Sequence, residues 1–246
     1  MPRLVILSGP SCIGKSPLLK ALQRFYPHLA QQLRPLVLYN DRTPRPGETD
    51  GIAYHFRPRP FIEALREQPG HIVLPVRRDL QALELAQVTG LLQQGLDPFF
   101  EGNPYVASAL LEAPDLVGVP RVSCFLSPVS LEELSFVQGQ PGADPRKLVT
   151  DVMRRKLLRR TQRQKGLLSA PDLEDIEARC GAAYDELAYA SKFDYVLPNH
   201  DGEDSENWDA FYYPLGDARK SVLDFAAILA GEAPRWAEQW PEDRSE

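Results

Sequence analysis

The sequence predicts an α/β sandwich with a central, mostly parallel sheet. Apolar runs with the length of buried strands alternate with longer segments of helical pattern along the 246 residues. The first run, at 4–7, is continuously apolar, which is typical of a parallel strand covered on both faces. A glycine-rich loop leads from it directly into a helical segment, and this strand–loop–helix order favours a parallel sheet with helical crossovers.

The other elements follow in order along the chain. A serine at 130 is a typical cap for the helix that begins there, and 172–191 carries acidic residues at its start, where the helix dipole favours them. A glycine- and proline-containing stretch at 138–144 predicts a loop. The predicted strands are 4–7, 36–39, 71–76, 97–102, 121–126 and 195–197; the predicted helices are 15–25, 60–67, 80–95, 104–112, 148–164, 172–191 and 217–229.

Composition and charge exclude several classes of protein. A hydrophobic content of 43% and a charged content of 25% are ordinary for a globular protein, and a net charge of −6 gives no general attraction to nucleic acid. The apolar run at 4–7 is too short for a signal peptide or a membrane span, so we expect a cytoplasmic location and no membrane partner. The three cysteines lack metal or disulfide spacing, as expected in a reducing compartment.

Residues 9–16 complete the pattern G-x-x-x-x-G-K-[ST] of a phosphate-binding loop. A glycine turn before a helix is the simpler interpretation, but the preceding strand and following helix are the context that this motif needs. We expect Lys15 to reach the β- and γ-phosphates of a nucleoside triphosphate and the Ser16 hydroxyl to bind Mg²⁺. ATP and Mg²⁺ are the expected ligands. The predicted nucleotide-binding residues here are Gly9, Ser11, Cys12, Ile13, Gly14, Lys15, Ser16 and Pro17.

A second motif, at 42–56, resembles the monophosphate-binding segment of guanylate kinases, whose pattern is R-x-P-R-x-G-E-x-x-G-x-x-Y-x-F. Two arginines three residues apart, on a turn stiffened by prolines that include Pro46, would present planar donor groups to one phosphate. The alternative is a surface turn with solvated charges. The resemblance implies that Arg42, Arg45 and Tyr54 bind the phosphate of an acceptor nucleotide.

The resemblance covers most of residues 3–200 and implies a three-layer P-loop kinase sandwich with an inserted acceptor-binding subdomain and a helical lid. It also implies ATP-dependent phosphoryl transfer to a nucleoside monophosphate, with GMP as the default acceptor. We expect one domain over 1–246, with a core at about 1–37, 96–134 and 176–200, an acceptor-binding subdomain at about 38–95, a lid at about 135–175 and a C-terminal extension at about 201–246.

The lid is where such enzymes place arginines that neutralise the moving phosphoryl group. Seven basic residues lie within 154–165, and a solvated helix face or an RNA-binding face are the alternatives. By resemblance Arg179 is the arginine after the lid, and Asn199 lies near the donor base. The predicted catalytic residues are Lys15, Arg159, Arg160, Arg163 and Arg179.

The base-binding half of the family pattern is altered. Leu38 stands where the family usually has a serine, and 71–85 lacks the family's G-N-x-Y-G-T stretch. Glu101 is our candidate for the acidic group that reads the base, and Asp79, Gln81 and Glu84 form a different candidate set.

The altered base site leaves alternatives open. They are a kinase of another phosphorylated small molecule and a non-catalytic module that binds a phosphorylated protein segment. Nucleic acid is not an expected partner, and a homodimer is one assembly that the sequence leaves open. The acidic, aromatic stretch at 201–213 has no counterpart in the family pattern.

Overall fold

A computed structural model of the chain describes residues 1–45 and 47–241. Pro46, predicted to stiffen a turn, and 242–246, the end of the predicted C-terminal extension, lie outside the described residues. The strands are β1 (Leu4–Ser8), β2 (Leu33–Pro35), β3 (Tyr39–Asn40), β4 (His55–Phe56), β5 (His71–Val76), β6 (Asp79–Glu84), β7 (Asp97–Gly102), β8 (Arg121–Ser127) and β9 (Tyr195–Pro198).

The helices agree with most of the predicted segments. They are α1 (Lys15–Phe25), α2 (Pro27–Ala30), α3 (Arg59–Ala64), α4 (Ala86–Gln93), α5 (Pro104–Glu112), α6 (Leu131–Gln138), α7 (Pro145–Lys165), α8 (Ala170–Leu187) and α9 (Gly216–Ala230), with short 3-10 turns at Leu65–Glu67, Pro114–Leu116, Ala190–Lys192 and Glu206–Trp208. Among the described residues, no helix has both the length and the hydropathy that crossing a bilayer requires.

Two sheets organise the chain. The larger has the strand order β2-β7-β1-β8-β9, and both β2 with β7 and β8 with β9 run parallel. The smaller has the order β4-β3-β6-β5. The predicted α/β class with a mostly parallel central sheet is therefore confirmed. The chain divides into two compact units, Met1–Ile6 with Gln32–Val122 and Leu7–Gln31 with Ser123–Glu246, and the division runs through β1 and β8.

In the first unit, the smaller sheet packs α3 against one face. Ile62 and Leu65 pack with Leu80 and Ala82 of β6 in a buried apolar cluster. Because strand side chains alternate between faces, Gln81 points to the other side of the sheet. Leu83 shares that side with Gln81, and both are buried, so both faces of β6 are covered.

The predicted helix over 80–95 is wrong in its first half, where the chain forms β6. Leucine, glutamine, alanine and glutamate are good helix formers, so propensity alone favoured a helix. β6 instead pairs antiparallel with both β3 and β5. Arg77, in the left-handed region at φ 56°, turns the chain between β5 and β6. Pairing on both edges and burial of one face override local propensity.

The predicted strand over 36–39 is displaced. The chain leaves β2 at residue 35 and enters β3 only at residue 39, so 36–38 connects two sheets. Between them, the Gln87 side-chain amide accepts from Val37 N and donates to Val37 O, both at 3.0 Å. The Gln87 side chain thus satisfies the backbone N–H and C=O of Val37, as a neighbouring strand would. The apolar pattern of 36–39 cannot reveal this contact, because Gln87 lies 50 residues further along the chain.

In the second unit, the predicted helices over 148–164, 172–191 and 217–229 are confirmed as α7, α8 and α9 within a few residues. Ser130 caps α6 in a capping box with Glu133, as its position predicts. α7 and α8 pack along one another, joined by Arg154 to Glu177 at 2.7 Å. α7 thus presents one side to α8 and another to the segment that follows β9.

Candidate functional site

The phosphate loop has a backbone that only glycine permits at two positions. Gly9 (φ 139°) has the Leu126 carbonyl oxygen 2.4 Å from where a Cβ would lie. Gly14 (φ 106°) would place a Cβ 2.7 Å from Asn199 Nδ2 and 2.9 Å from Trp208 Cζ2. Since real Cβ contacts do not come this close, both glycines are required sterically as well as conformationally. They leave the loop as a turn whose amide groups precede the N-terminus of α1, the arrangement that binds anions.

Lys15 is the first residue of α1 and is buried at 7% exposure. Its ammonium donates to the carbonyl oxygens of Gly9 and Pro10, both at 2.8 Å, so the charge is held within the loop. Ser16 follows and is exposed, while Pro17 occupies the first turn, where its missing N–H is tolerated. Among the described residues, no group of three or more His, Cys, Asp or Glu side chains could hold a metal.

Asn199 lies beneath the phosphate loop and is fully buried. Its amide donates to Ile13 O at 2.7 Å and to Asp201 O at 2.9 Å, so it ties the loop to the segment after β9. Glu203 N donates to Cys12 O at 3.0 Å in the same way. Asn199 therefore supports the phosphate loop from below, and we refer to these contacts as the brace under the loop. Its predicted contact with the base of the donor nucleotide stays a prediction.

Cys12 sits in the phosphate loop with a φ of 67° and is buried. Burial raises the pKa of Cys12 to about 12. The buried thiol therefore stays protonated and packs as a small apolar side chain. Ser11 and Ile13 flank it, half-buried and buried respectively.

The basic side of α7 is covered by carboxylates of the chain itself. We call residues 201–206 the acidic segment. Arg160 Nη1 donates to Glu203 Oε2 at 3.0 Å, and Arg163 Nη2 donates to Glu206 Oε1 at 3.2 Å. Arg159 lies 3.7 Å from Asp204 Oδ2 but is 69% exposed. These pairings give the acidic part of 201–213 a place in the structure, while Arg155, Arg159 and Arg163 remain exposed to solvent.

A cavity of about 490 Å³ lies between α1, α7 and the acidic segment. Ser16 and Pro17 line one part of it, Arg160 and Arg163 another, and Trp208 a third. Two predicted catalytic arginines, Arg160 and Arg163, and the predicted metal ligand Ser16 therefore line the same cavity. Arg179, on α8, is buried and pairs with Asp175 at 2.8 Å, one turn earlier on its own helix.

In the first unit, Glu48 holds Arg42 with two hydrogen bonds, at 2.7 and 2.6 Å. Burial opposes the charge on Arg42, but the Glu48 carboxylate outweighs it and raises the pKa of the guanidinium. The same hydrogen bond lowers the pKa of Glu48. Arg42 also lies over the rings of Tyr54 and Phe56, at 5.1 and 5.4 Å. The guanidinium plane is thus fixed by a carboxylate and by two aromatic faces.

Arg45 belongs to the same turn, since its backbone N–H donates to Glu48 Oε2 at 2.7 Å, while its side chain is exposed. Burial raises the pKa of Tyr54, so its hydroxyl stays a donor. The structure therefore brings Arg42, Arg45 and Tyr54 together around Glu48, as the motif predicts.

Beside Tyr54 is a small cavity of about 40 Å³ whose wall includes Gln81, Glu101 and Asn103. Asn103 Nδ2 donates to Gln81 Oε1 at 3.1 Å, and Asn103 Oδ1 caps α5. Leu38 is part of the same wall. Of the alternative set, Asp79 lies 3.9 Å from Arg42, and Glu84 pairs with His71 at the far end of the hairpin, outside this wall.

Sequence reasoning missed two functional contacts. The sequence analysis gave no role to Glu48, although the motif contains that residue. The two hydrogen bonds between the Arg42 guanidinium and the Glu48 carboxylate form only when the turn brings the two side chains together. Sequence reasoning also missed the acidic segment, although charge complementarity between 154–165 and 201–206 was a usable signal.

Comparisons with known proteins agree with this geometry. The family model described as guanylate kinase matches residues 1–67. A guanylate kinase from Cereibacter sphaeroides is 31% identical over 238 residues, covering 93% of this chain and 95% of the relative. The chain belongs to the guanylate kinase family. A guanylate kinase from Haemophilus ducreyi is also 31% identical, over 80% of each chain.

A solved structure supports the fold of this guanylate kinase family member. The crystal structure of guanylate kinase from Anaplasma phagocytophilum matches with a TM-score of 0.56 at 16% identity, covering 95% of this chain and 87% of that one. The family model ends at residue 67, so β5, β6 and Glu101 lie outside the matched residues.

Proposed function

We propose that this protein transfers the γ-phosphoryl group of ATP to a nucleoside monophosphate, with GMP as the first acceptor. The observation that carries the proposal is the phosphate loop, in which required glycines, a buried Lys15 and an exposed Ser16 open α1. Membership of the guanylate kinase family supports the same activity.

On the donor side, the loop amides and Lys15 would hold the phosphates, because the ammonium is already fixed inside the loop. Ser16 fits Mg²⁺, which takes few protein ligands and keeps several waters, so a dedicated carboxylate cage is not needed. Mg²⁺ held there would supply positive charge that neutralises the charge developing on the phosphates. Arg160 and Arg163 share a cavity wall with Ser16, which supports their role in stabilising the transferred group.

On the acceptor side, Arg42, Arg45 and Tyr54 would bind the monophosphate. Glu48 keeps one edge of Arg42 occupied and orients its plane, so the guanidinium meets a phosphate without having to be ordered first. Catalysis then depends on positioning and charge, since phosphoryl transfer needs no covalent intermediate.

For the base, Glu101 is the proposed acceptor of guanine N–H donors, with Gln81 and Asn103 as amide neighbours. A volume of about 40 Å³ has room for water but not for a base, so acceptor binding has to widen this cavity. Leu38 in the wall favours the second candidate function, which is phosphorylation of another phosphorylated small molecule. A non-catalytic module has no use for the phosphate loop, and we do not favour it.

Partner and location remain predictions. Pairing of the basic side of α7 with the acidic segment supports the absence of a nucleic-acid partner. A cytoplasmic location is expected from the sequence alone, and a homodimer is left open.

The test is an ADP-release assay with Mg·ATP against GMP, dGMP, AMP, CMP and UMP. We expect turnover with GMP and dGMP, which share the guanine base, and at least tenfold less with AMP, CMP and UMP. A Glu101→Gln variant should lose GMP selectively, because it removes the carboxylate acceptor. Turnover with a non-guanine acceptor alone would support the second candidate. ATP binding without turnover on any nucleotide would contradict the proposal.

A further inference from the structure

The acidic segment, to which no function has been given so far, is docked on one face of α7. Lys156, Arg160 and Arg163 are four and three residues apart, so they project from the same side of the helix. The Lys156 ammonium donates to His200 O, and Arg163 Nη1 donates to Asp204 O. Between these two backbone contacts, Arg160 is held by a side chain, the carboxylate of Glu203.

Glu203 is also fixed to the phosphate loop. Its backbone N–H donates to Cys12 O at 3.0 Å. The preceding residue, Gly202, has Cys12 O only 2.5 Å from where a Cβ would lie, so the two backbones are in close contact. The Glu203 carboxylate is therefore carried on a backbone that is hydrogen-bonded directly to the phosphate loop.

Arg160 is thus held in a defined place relative to the loop. Its side chain is 18% exposed and that of Glu203 is 20% exposed, so water screens this pair less than the surface pairs of α7. Arg160 and Glu203 both line the 490 Å³ cavity that includes Ser16. The hydrogen bond to Glu203 uses one of the five N–H donors of the guanidinium. An arginine ordered in advance loses less conformational entropy when it meets a phosphate.

We propose that Glu203 is a positioning residue that presets Arg160 beside the phosphate loop for phosphoryl transfer. The proposal rests on the proposed function, because it gives Glu203 a role in that same reaction. It assigns the acidic segment a purpose beyond charge neutralisation: one residue connects the loop backbone to a lid arginine. The carboxylate itself does not contact substrate.

The test compares Glu203→Gln with Glu177→Gln. Glutamine keeps the shape and the backbone contact to Cys12 but removes the charge that orients Arg160. Glu177 pairs with Arg154 on the α8 side of the same helix, so its variant is a matched control. We expect kcat of Glu203→Gln to fall about tenfold, with KM for ATP and GMP within twofold and thermal stability equal to that of the control. Glu177→Gln should keep the parental kcat.

A double-mutant cycle then separates positioning from a general structural role. If Glu203 acts through Arg160, Glu203→Gln should lower kcat no further in an Arg160→Ala background. The proposal is overturned if Glu203→Gln keeps parental kcat, if only KM changes, if Arg160→Ala is fully active, or if the loss persists without Arg160. A parent protein with no phosphoryl transfer to any monophosphate overturns the proposed function, and this proposal with it. A normal parent with an unaffected Glu203→Gln overturns this proposal alone.

Discussion

In the phosphate loop the groups that would meet a ligand are backbone amides, whereas in the segment 42–56 they are the side chains of Arg42, Arg45 and Tyr54. The loop is shaped by steric exclusion, since Gly9 and Gly14 have no room for a Cβ. The arginine turn is shaped by pairing, since Glu48 accepts from the Arg42 guanidinium and from Arg45 N. The residue that shapes the arginine turn, Glu48, lies inside the same short motif, whereas the atoms that crowd Gly9 and Gly14 belong to residues far along the chain. The sequence motif therefore contains the contacts of the second region, and the first region depends on packing against distant residues.

The largest loss of turnover should come from substitution of Lys15. This prediction sharpens the comparison, because Lys15 is the one charged side chain in a loop that otherwise offers backbone amides. Lys15→Ala should raise the barrier by at least about 3 kcal/mol, a loss in turnover of about 100-fold or more. ADP release measures it, with Lys147→Ala as control, since Lys147 is 74% exposed on α7. Parental turnover in Lys15→Ala would show that the loop does not serve phosphoryl transfer.

GMP binding should depend on the planar shape of the Arg42 guanidinium as well as on its charge. Arg42→Ala should weaken GMP binding by about 2–3 kcal/mol and leave the KM for ATP unchanged. Arg42→Lys keeps the charge but loses the two-pronged bond to Glu48, so it should recover little. Arg45→Ala should also act on GMP alone. Steady-state kinetics with each substrate varied would refute separate sites if the two KM values rise together.

Steric exclusion in the loop predicts a stability effect that does not require ligand. Gly14→Ala should lower the free energy of unfolding by about 2 kcal/mol, because φ is 106° and Asn199 and Trp208 crowd the site. Gly90→Ala is the control, since it lies in α4 with nothing within 4 Å of a Cβ. Alanine there should stabilise by about 0.5–1 kcal/mol. Urea denaturation of both variants would exclude the steric account if they behaved alike.

The smallest effect concerns His200, which follows Asn199 and lies between Glu133 and Asp217 at 2.9 and 2.5 Å. Burial opposes its charge, but these carboxylates outweigh burial and raise the pKa of His200. Lys220 also pairs with Asp217, and Lys156 donates to His200 O.

The pKa of His200 is higher in the folded protein than in the unfolded chain, so protonated His200 stabilises the fold. This contribution is fully present at pH values below the pKa of the unfolded chain, and it is lost as the pH rises through the pKa of the folded protein. His200 is half-exposed, so His200→Gln should destabilise by less than about 1 kcal/mol at pH 6 and by nearly nothing at pH 9. Thermal melts at both pH values check this, with the exposed His28→Gln as control. A larger loss at pH 9 would reverse the sign and refute it.

The sequence predicted the strand–loop–helix at 4–25, the helices α7 to α9 and the grouping of Arg42, Arg45 and Tyr54 on one turn, because these depend on local periodicity or on a short motif. It mispredicted the strand β6, because a strand with partners on both edges forms whatever its helix propensity. It left Gln81 as one of several candidates for the same reason: the contact of Gln81 with Asn103 joins β6 to the residue that follows β7, 22 residues away in sequence. Pairings between distant residues leave no periodic trace.

The brace under the phosphate loop also has a consequence for how the protein is made. Asn199 donates to Ile13 O across 186 residues of chain, and Glu203 N donates to Cys12 O across slightly more. A ribosome therefore synthesises the loop early and its support late. Contacts of such long sequence separation form slowly, because a large chain entropy is lost before they are made. We expect ATP binding to be acquired late in folding, and a nascent chain that ends before residue 199 to lack it.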